Sequence, residues 1–380
     1  MRILQLVHVP RNPNGGSAGV TLRLAAEWRA AGHQVEDVYA SELGAAVGNV
    51  GTRSRRAHDE LLAVGAAVIG LARQRRVDVI YATGHLGWIL YPLVRLRSRR
   101  PLLIAASFGL EHEAKHASEL LDETDRSRLR HWLSGRTRLP EVAGTIRHAD
   151  GFVALTQFTA TRVLAAGWKK ESELLVSGCG VPDECHEVQR SPRSEWTGTI
   201  VWCGTTIGRK GWDYFVSALA QCERGLLRRV HVLGSGRQPH DVRRELAGAG
   251  VSSIEISVHS ELSRIDQCHI LAASDVFVST SIYEGFHRAL LEAMAIGLPC
   301  VATETGFVKD QPRPGDICEL VPMHDAAAVA KAVRRLASDD SRRCALSEDA
   351  KVLSESFAWS SLAEEQLAWM EALTSRLTPR

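Results

Sequence analysis

A chain of 380 residues, 45% hydrophobic and 24% charged, is too long for a single core and suits two α/β domains of ordinary size. Lys and Arg number 46 against 44 Asp and Glu, a formal charge of +2, which gives no bulk electrostatic case for a nucleic-acid partner. All eight cysteines lie from Cys179 onward without a Cys-x-x-Cys pair, which argues against a disulfide framework or a zinc ribbon and for buried thiols in a reducing cytoplasm.

The chain goes straight into Ile3 to Val7, a strand rather than the apolar helical region of a signal peptide, and its longest apolar runs are too short to span a bilayer. The expectation is a cytoplasmic protein, or one peripheral at the inner membrane face. Strand-like and helical runs then alternate, the signal for βαβ units, with no internal repeat. A loop holding Gly15, Gly16 and Gly19 leads into a helix from about Val20 to Ala31, closed by Gly32. Val77 to Tyr81, Leu102 to Ala106 and Gly151 to Leu155 read as further strands, and Gly178-Cys179-Gly180-Val181-Pro182 ends the first half. The polar stretch Glu187 to Ser194 is the linker, which places domains at 1–187 and 196–358. Thr199 to Cys203 opens a second Rossmann-like half. Ser361, three residues before Glu364, forms a capping box for a last amphipathic helix within 361–375, ending near Leu373.

Glu284 and Glu292 stand eight positions apart in Tyr283-Glu284-Gly285-Phe286-His287-Arg288-Ala289-Leu290-Leu291-Glu292. Asp275 to Ser279 before them and Pro299 to Ala302 after them read as short buried strands of a parallel sheet. Gly297 and Pro299 stop the intervening helix, so Glu292 falls in its first turns and Glu284 in the loop feeding its N-terminus. Ligands of doubly wound sheets bind beyond the carboxyl ends of strands, where a helix N-terminus offers unpaired N–H groups to an anion such as a diphosphate. Two carboxylates there suit the paired hydroxyls of a sugar nucleotide, although the helix dipole alone favours acids in a first turn. Lys210 follows the Thr199 to Cys203 strand and reaches over the same edge, where a cation would neutralise a leaving phosphate; Arg209 beside it could bind phosphate as a fork or simply be solvated. The Gly15-Gly16 turn lacks the full Gly-x-Gly-x-x-Gly pattern, so dinucleotide binding is not indicated. Neither an Asp-x-Asp strand end nor a His-rich helix with ligand spacing is present, so neither a metal nor another cofactor is expected. Cys185-His186 and Cys268-His269 read as bland neighbours.

Together these segments resemble the Glu-x7-Glu signature of retaining GT-B glycosyltransferases of family 4, the glycosyl transferases group 1. Gly15-Gly16, Ser107 to Glu111, Gly178 to Val181, Arg209-Lys210-Gly211 and Gly234-Ser235-Gly236 fall in the family's order at about its spacing, over nearly the whole chain. The resemblance implies an α/β fold of GT-B type, two Rossmann-like doubly wound domains facing across a cleft. The first would be the acceptor side, with the final helix packing back on it, and the second the nucleotide-sugar side. It implies a hexosyltransferase-type enzyme that moves a sugar from a nucleoside diphosphate sugar to an alcohol acceptor in polysaccharide, glycolipid or natural-product biosynthesis. Glu284 would take donor-sugar hydroxyls, Glu292 the ribose hydroxyls, and Lys210 and Arg209 the diphosphate. Gly285, Phe286 and His287 would present backbone N–H groups, with Gly16, Gly234, Arg288 and Leu291 completing the donor side.

Three departures bear on turnover. The family commonly has an arginine after the glycine of the Thr199 to Cys203 strand, where this chain has Thr205 after Gly204, and a small residue at His287, whose ring is expected to touch the sugar or acceptor or to face solvent. Segments like Ser107 to His112 usually read Ser-His-Gly-Leu-Glu-His, yet Phe108 replaces the histidine; His85 and His112 are candidates to stand in for it, and Phe108 could stack on a less polar sugar or acceptor ring. These features leave two alternatives: a sugar-nucleotide-binding subunit without turnover, or a nucleotide-sugar 2-epimerase of the same fold. The charged stretch Glu111 to Asp150, with Arg126, Arg128, Arg130, Arg136 and Arg138 around Trp132, reads as solvated helices or as a site for an anionic acceptor or membrane surface. Arg95 to Arg100 invites the same two readings.

Overall fold

The computed structural model describes all residues except 14, 49–54, 110–139, 189, 191–194, 223–224, 235, 252, 261 and 378–380, so His112 and the arginines around Trp132 lie outside the described residues. The chain divides into two compact units, Met1–Gly180 with Trp359–Arg380, and Val181–Ala358. The boundary falls before the polar stretch at 187, because Val181 N–H donates to the Phe357 carbonyl (2.9 Å) and Cys185 lies with its sulfur 3.2 Å from that of Cys268. Those two cysteines are buried together.

The first unit is a parallel sheet in the order β2-β1-β3-β4-β5-β6, with β1 Arg2–Leu6, β2 Gln34–Val38, β3 Val79–Thr83, β4 Leu102–Ser107, β5 Gly151–Ala154 and β6 Leu174–Val176. β3 and β4 are buried along their whole length, as expected of strands covered on both faces, whereas β2 at the edge alternates polar residues. β3 begins two residues later than its apolar run, because Asp78 turns aside to bind Arg2: its carboxylate accepts from the Arg2 backbone N–H at 2.7 Å. The first helix starts at Gly16 rather than near Val20, with Gly15 as its extended N-cap. Arg100 grips Asp150 with two hydrogen bonds (2.5 and 2.8 Å), and Asp150 also accepts from Leu103 N–H, so part of the Arg95 to Arg100 cluster fastens the start of β4.

The last helix, Trp359–Leu377, belongs to this unit and begins two residues before the Ser361 capping box. Two glycines admit it. A Cβ on Gly180 would lie 2.4 Å from the Trp359 ring, and one on Gly151 in β5 would lie 2.4 Å from Trp369. Buried Gln366 donates to Ser177 Oγ (2.9 Å) between those two anchors.

The second unit is a parallel sheet in the order β12-β11-β10-β7-β8-β9, with β7 Thr199–Cys203, β8 Arg229–Leu233, β9 Glu255–His259, β10 Val276–Ser279, β11 Cys300–Thr303 and β12 Glu319–Val321. The chain runs outward from β7 to β9, then returns to β10 beside β7, which makes β7/β10 the topological switch point. Asp275 ties the two strands at their start, its carboxylate accepting from Thr199 N–H (2.8 Å) and Thr197 N–H (3.1 Å). Trp202, Trp212 and Phe215 stack in the core beneath. Among the described residues no helix is long and apolar enough to cross a membrane.

Gly151→Ala is expected to destabilise the protein by about 1–3 kcal/mol, since the added methyl drives into an indole that cannot retreat without unseating the last helix. Denaturant unfolding followed by near-ultraviolet circular dichroism measures it. A midpoint equal to the parent's would show that Trp369 does not seat on β5.

Candidate functional site

At the switch point β7 and β10 lie side by side, with Ile200 opposite Val276 and Val201 opposite Phe277, and each releases a loop from its carboxyl end. The loop after β7 makes one 3₁₀ turn, Gly208–Lys210, and ends on Gly211 at φ 65°. A side chain on residue 211 would place its Cβ 1.8 Å from the Thr280 carbonyl oxygen. Glycine therefore lets the two loops close on each other: Ile282 N–H donates to the Arg209 carbonyl (2.9 Å), and Thr280 Oγ1 donates to the Gly211 carbonyl (2.8 Å). Gly204, at φ 150°, clears the path of the Lys210 side chain, whose Cδ would lie 3.3 Å from a Cβ there.

This clamp brings Lys210 to Glu284 across 74 residues of sequence. Lys210 Nζ donates to Glu284 Oε1 at 2.5 Å, Ser281 Oγ donates to the same oxygen at 2.7 Å, and Arg209 Nη1 stands 3.8 Å from Oε2. Burial by itself would raise the Glu284 carboxyl, but Lys210 beside it, with His287 and Arg209, holds it down to about 2. Where His287 is neutral, Lys210 and Arg209 carry that balance.

His287 caps the Arg288–Ala295 helix in the left-handed region, φ 82°. The neighbouring backbone makes room for this turn, since a Cβ on Gly306 would lie 2.3 Å from the Phe286 carbonyl oxygen. The imidazole is 4% exposed, with Nε2 2.9 Å from Ser279 Oγ and Nδ1 3.3 Å from Thr305 Oγ1. Burial, and to a lesser degree the two cations, lower its pKa to about 4 against the pull of Glu284, so the ring is neutral near pH 7. It does not face solvent, which corrects that one of the two expectations for the side chain: both nitrogens lie against hydroxyls, of Ser279 and Thr305.

Glu292, 3% exposed, sits one turn into the same helix. Arg264 Nη1 donates to both of its oxygens at 3.0 Å, Gln267 Nε2 to Oε2 at 2.8 Å, and Arg288 Nη2 to Oε1 at 3.3 Å. Arg264 and Gln267 come from the Arg264–Ala273 helix after β9 and were not legible as site residues. Ser263 marks that helix's start, but nothing local says where its first turn points. Cys203, at the end of β7, lies between the two carboxylate clusters. Burial, then Glu292, raises its thiol to about 12, while Lys210 and Arg264 pull the other way. Four cations, Arg209, Lys210, Arg264 and Arg288, thus face two carboxylates, Glu284 and Glu292.

Of the remaining residues read from sequence, Gly234 sits at φ 68° where an added Cβ would meet no heavy atom within 4 Å, so the fold demands glycine there only for its backbone angle. Gly285 lies in the loop between Glu284 and His287. Phe286 packs its ring on Phe307 and Phe357, and Leu291 is core at 1% exposure. In the first unit a Cβ on Gly16 would meet nothing, and Phe108 is half-buried just after β4. His85 is buried with Nε2 3.1 Å from the Asp59 carbonyl oxygen, and burial lowers its pKa to about 4. Among the described residues no three His, Cys, Asp or Glu side chains gather where a metal could be held.

Two parallel six-stranded sheets, each with a reversal of strand order, are the α/β architecture of GT-B proteins. Residues 197–339, which include both carboxylates and all four cations, match the family described as Glycosyl transferases group 1. The lipopolysaccharide core biosynthesis glycosyltransferase LpsE of Rhizobium meliloti is 27% identical over 211 residues, a match that spans 55% of this chain and 60% of that protein. Sucrose-phosphate synthase from Thermosynechococcus elongatus has the same fold, with a TM-score of 0.76 at 17% identity over 99% of this chain and 100% of that one. So has Anabaena Alr3699/HepE, solved in complex with UDP-glucose, with a TM-score of 0.65 at 17% identity over 98% of this chain and 99% of that one.

Acid should erode stability through this site. Glu284, lowered from the ordinary 4.5 to about 2, adds stability that is complete above 4.5 and lost as the pH falls toward 2. His287, lowered from 6.5 to about 4, acts in the same direction between those values, because there only the unfolded chain takes up its proton. Equilibrium denaturation between pH 7 and 4 should therefore show a shallower decline in His287→Asn than in the parent, with His85 and His231 supplying part of what remains. Parallel curves would mean that the His287 ring titrates normally.

Proposed function

We propose that the protein is a retaining glycosyltransferase that moves a sugar from a nucleoside diphosphate sugar to an alcohol acceptor. The observation that carries this reading is the pairing of an ionised, buried Glu284 with Lys210 and Arg209 at the carboxyl edge of β7 and β10, beside the N-terminus of the Arg288–Ala295 helix. The family match over residues 197–339 and the UDP-glucose complex of a structural neighbour support it.

A carboxyl whose pKa is about 2 is a feeble base, so Glu284 would act by accepting hydrogen bonds from donor-sugar hydroxyls rather than by removing a proton. Lys210, now bonded to Glu284, would turn to the diphosphate as a sugar hydroxyl takes its place. The charge that builds on the leaving diphosphate would meet Lys210, Arg209 and the helix N–H groups, so that the donor's negative charge is met without a metal. The acceptor hydroxyl would attack on the face that the diphosphate leaves and pass its proton to a phosphate oxygen. Glu292 would take the ribose hydroxyls. Lipopolysaccharide or another surface glycan is the product class that the relatives' names suggest.

Phe108 favours one other reading, a subunit that binds sugar nucleotides without turning them over. A donor-hydrolysis assay separates the two, because slow release of free sugar needs the catalytic geometry and binding does not.

Lys210→Ala should lower transfer, or donor hydrolysis, by roughly 10² or more, the usual worth of a cation aimed at developing charge. Undiminished rates in this variant would move the phosphate site elsewhere. In a thermal-shift panel of UDP, GDP and ADP, the fitting nucleotide at one hundred times its Kd should add about 2.7 kcal/mol of stability. A panel in which none of the three shifts the melt would overturn the nucleotide reading itself.

A further inference from the structure

Among the described residues other than glycine, His287 and His324 hold a positive φ, 82° and 63°. A left-handed backbone crowds Cβ against a carbonyl oxygen, so a residue other than glycine is strained there and keeps the turn only where its surroundings enforce it. His324 is exposed, whereas His287 is 4% exposed and stands three residues beyond Glu284. Glycine would take the same turn without strain. The imidazole must therefore supply something that the turn by itself does not need.

Its two nitrogens reach the exits of two neighbouring strands. Nε2 lies 2.9 Å from Oγ of Ser279, the last residue of β10, and Nδ1 lies 3.3 Å from Oγ1 of Thr305, two residues past β11 and just before the Gly306–Asp310 turn. Backbone fastens the same place, since Phe307 N–H donates to the Phe286 carbonyl at 3.0 Å and Gly306 leaves the room for it. The ring does not hold Glu284 directly: Nε2 is 4.0 Å from Oε1, too far for a hydrogen bond, and that oxygen takes Lys210 and Ser281 instead. Whatever His287 does for the carboxylate, it does through the turn between them.

We propose that the His287 side chain is a positioning residue for the donor sugar: by fastening the Glu284–His287 turn to the ends of β10 and β11, it fixes where Glu284 meets the sugar hydroxyls. This rests on the nucleotide-sugar reading of the site and adds to it a role for the imidazole itself. The nucleotide end depends on that turn much less, because Glu292 is one helical turn further on, is bonded to Arg264 and Gln267 of another helix, and follows Leu291, which is core at 1% exposure. Loosening the turn thus moves the sugar end of the site and spares the nucleotide end. Small displacements of this kind act strongly on rate, since a reacting group must be met in one geometry.

The test compares the full chain with His287→Gly, Ser279→Ala and the double variant, by release of free sugar from UDP-glucose, UDP-N-acetylglucosamine, GDP-mannose and ADP-glucose and by calorimetric affinity for the matching nucleoside diphosphate. Glycine accepts the left-handed angle and removes only the ring. With the donor that the parent cleaves fastest, turnover should fall about ten-fold or more in His287→Gly, while affinity for the free diphosphate changes by less than about three-fold. Ser279→Ala should lose part of that turnover by itself and nothing further in the glycine background, because both changes break one contact. If the glycine variant does not fold, Ser279→Ala and Thr305→Val report the same split between rate and affinity. Undiminished turnover, equal losses of turnover and diphosphate affinity, or additive losses in the double variant would each overturn the positioning role and leave the nucleotide site standing. A parent chain that releases sugar from none of the four donors would overturn it together with the transfer reading beneath it.

Discussion

The carbonyl oxygen of Thr280 occupies the place where a side chain on residue 211 would have to be. That approach, open only to glycine in a left-handed turn, locks the loop after β7 against the loop after β10 and fixes the distance between Lys210 and Glu284. Everything else at the switch point follows from it. Glu284 is ionised because Lys210 is there, and His287 is neutral because it is buried against an already balanced pair. Gly204 and Gly306 extend the same logic, one clearing the lysine stem and the other the cap of the helix.

Drawing charged side chains out of water around β7 and β10 is costly unless they are paired, and the structure pairs Glu284 with Lys210 and Arg209, and Glu292 with Arg264 and Arg288. Short hydrogen bonds hold Glu284 to Lys210 and Glu292 to Arg264 and Gln267.

The first unit spends its unusual residues differently. His85 is sealed against a backbone carbonyl, Arg100 is committed to Asp150, and two glycines are surrendered to the tryptophans of the last helix. Gly16, by contrast, leaves space that the fold does not use, at the start of a helix whose N-cap offers no side chain. Residues that looked chemical in a linear reading thus find partners once burial supplies them. The cysteines of the second unit make the same point, since Cys185 and Cys268 meet in a packed interior that no spacing rule announces.

Alternation of apolar runs and glycine turns was enough to set out two parallel α/β halves, because strand and helix periods are local properties of the chain. The same was true of Glu284 in a loop, Glu292 one turn into a helix, and Lys210 beyond β7, since caps and breakers act over a few residues. Short polar edge strands such as β2, β9 and β12 left no such trace, for their neighbours and not their composition make them strands. Nor could the sequence announce that Arg264 and Gln267 would fill Glu292's shell, that His287 would turn inward to Ser279 and Thr305, or that Gly151 and Gly180 were reserved for tryptophans near the other end of the chain. Each of those contacts joins distant segments, and only the packing of helices on a finished sheet decides which side chain a buried charge will meet.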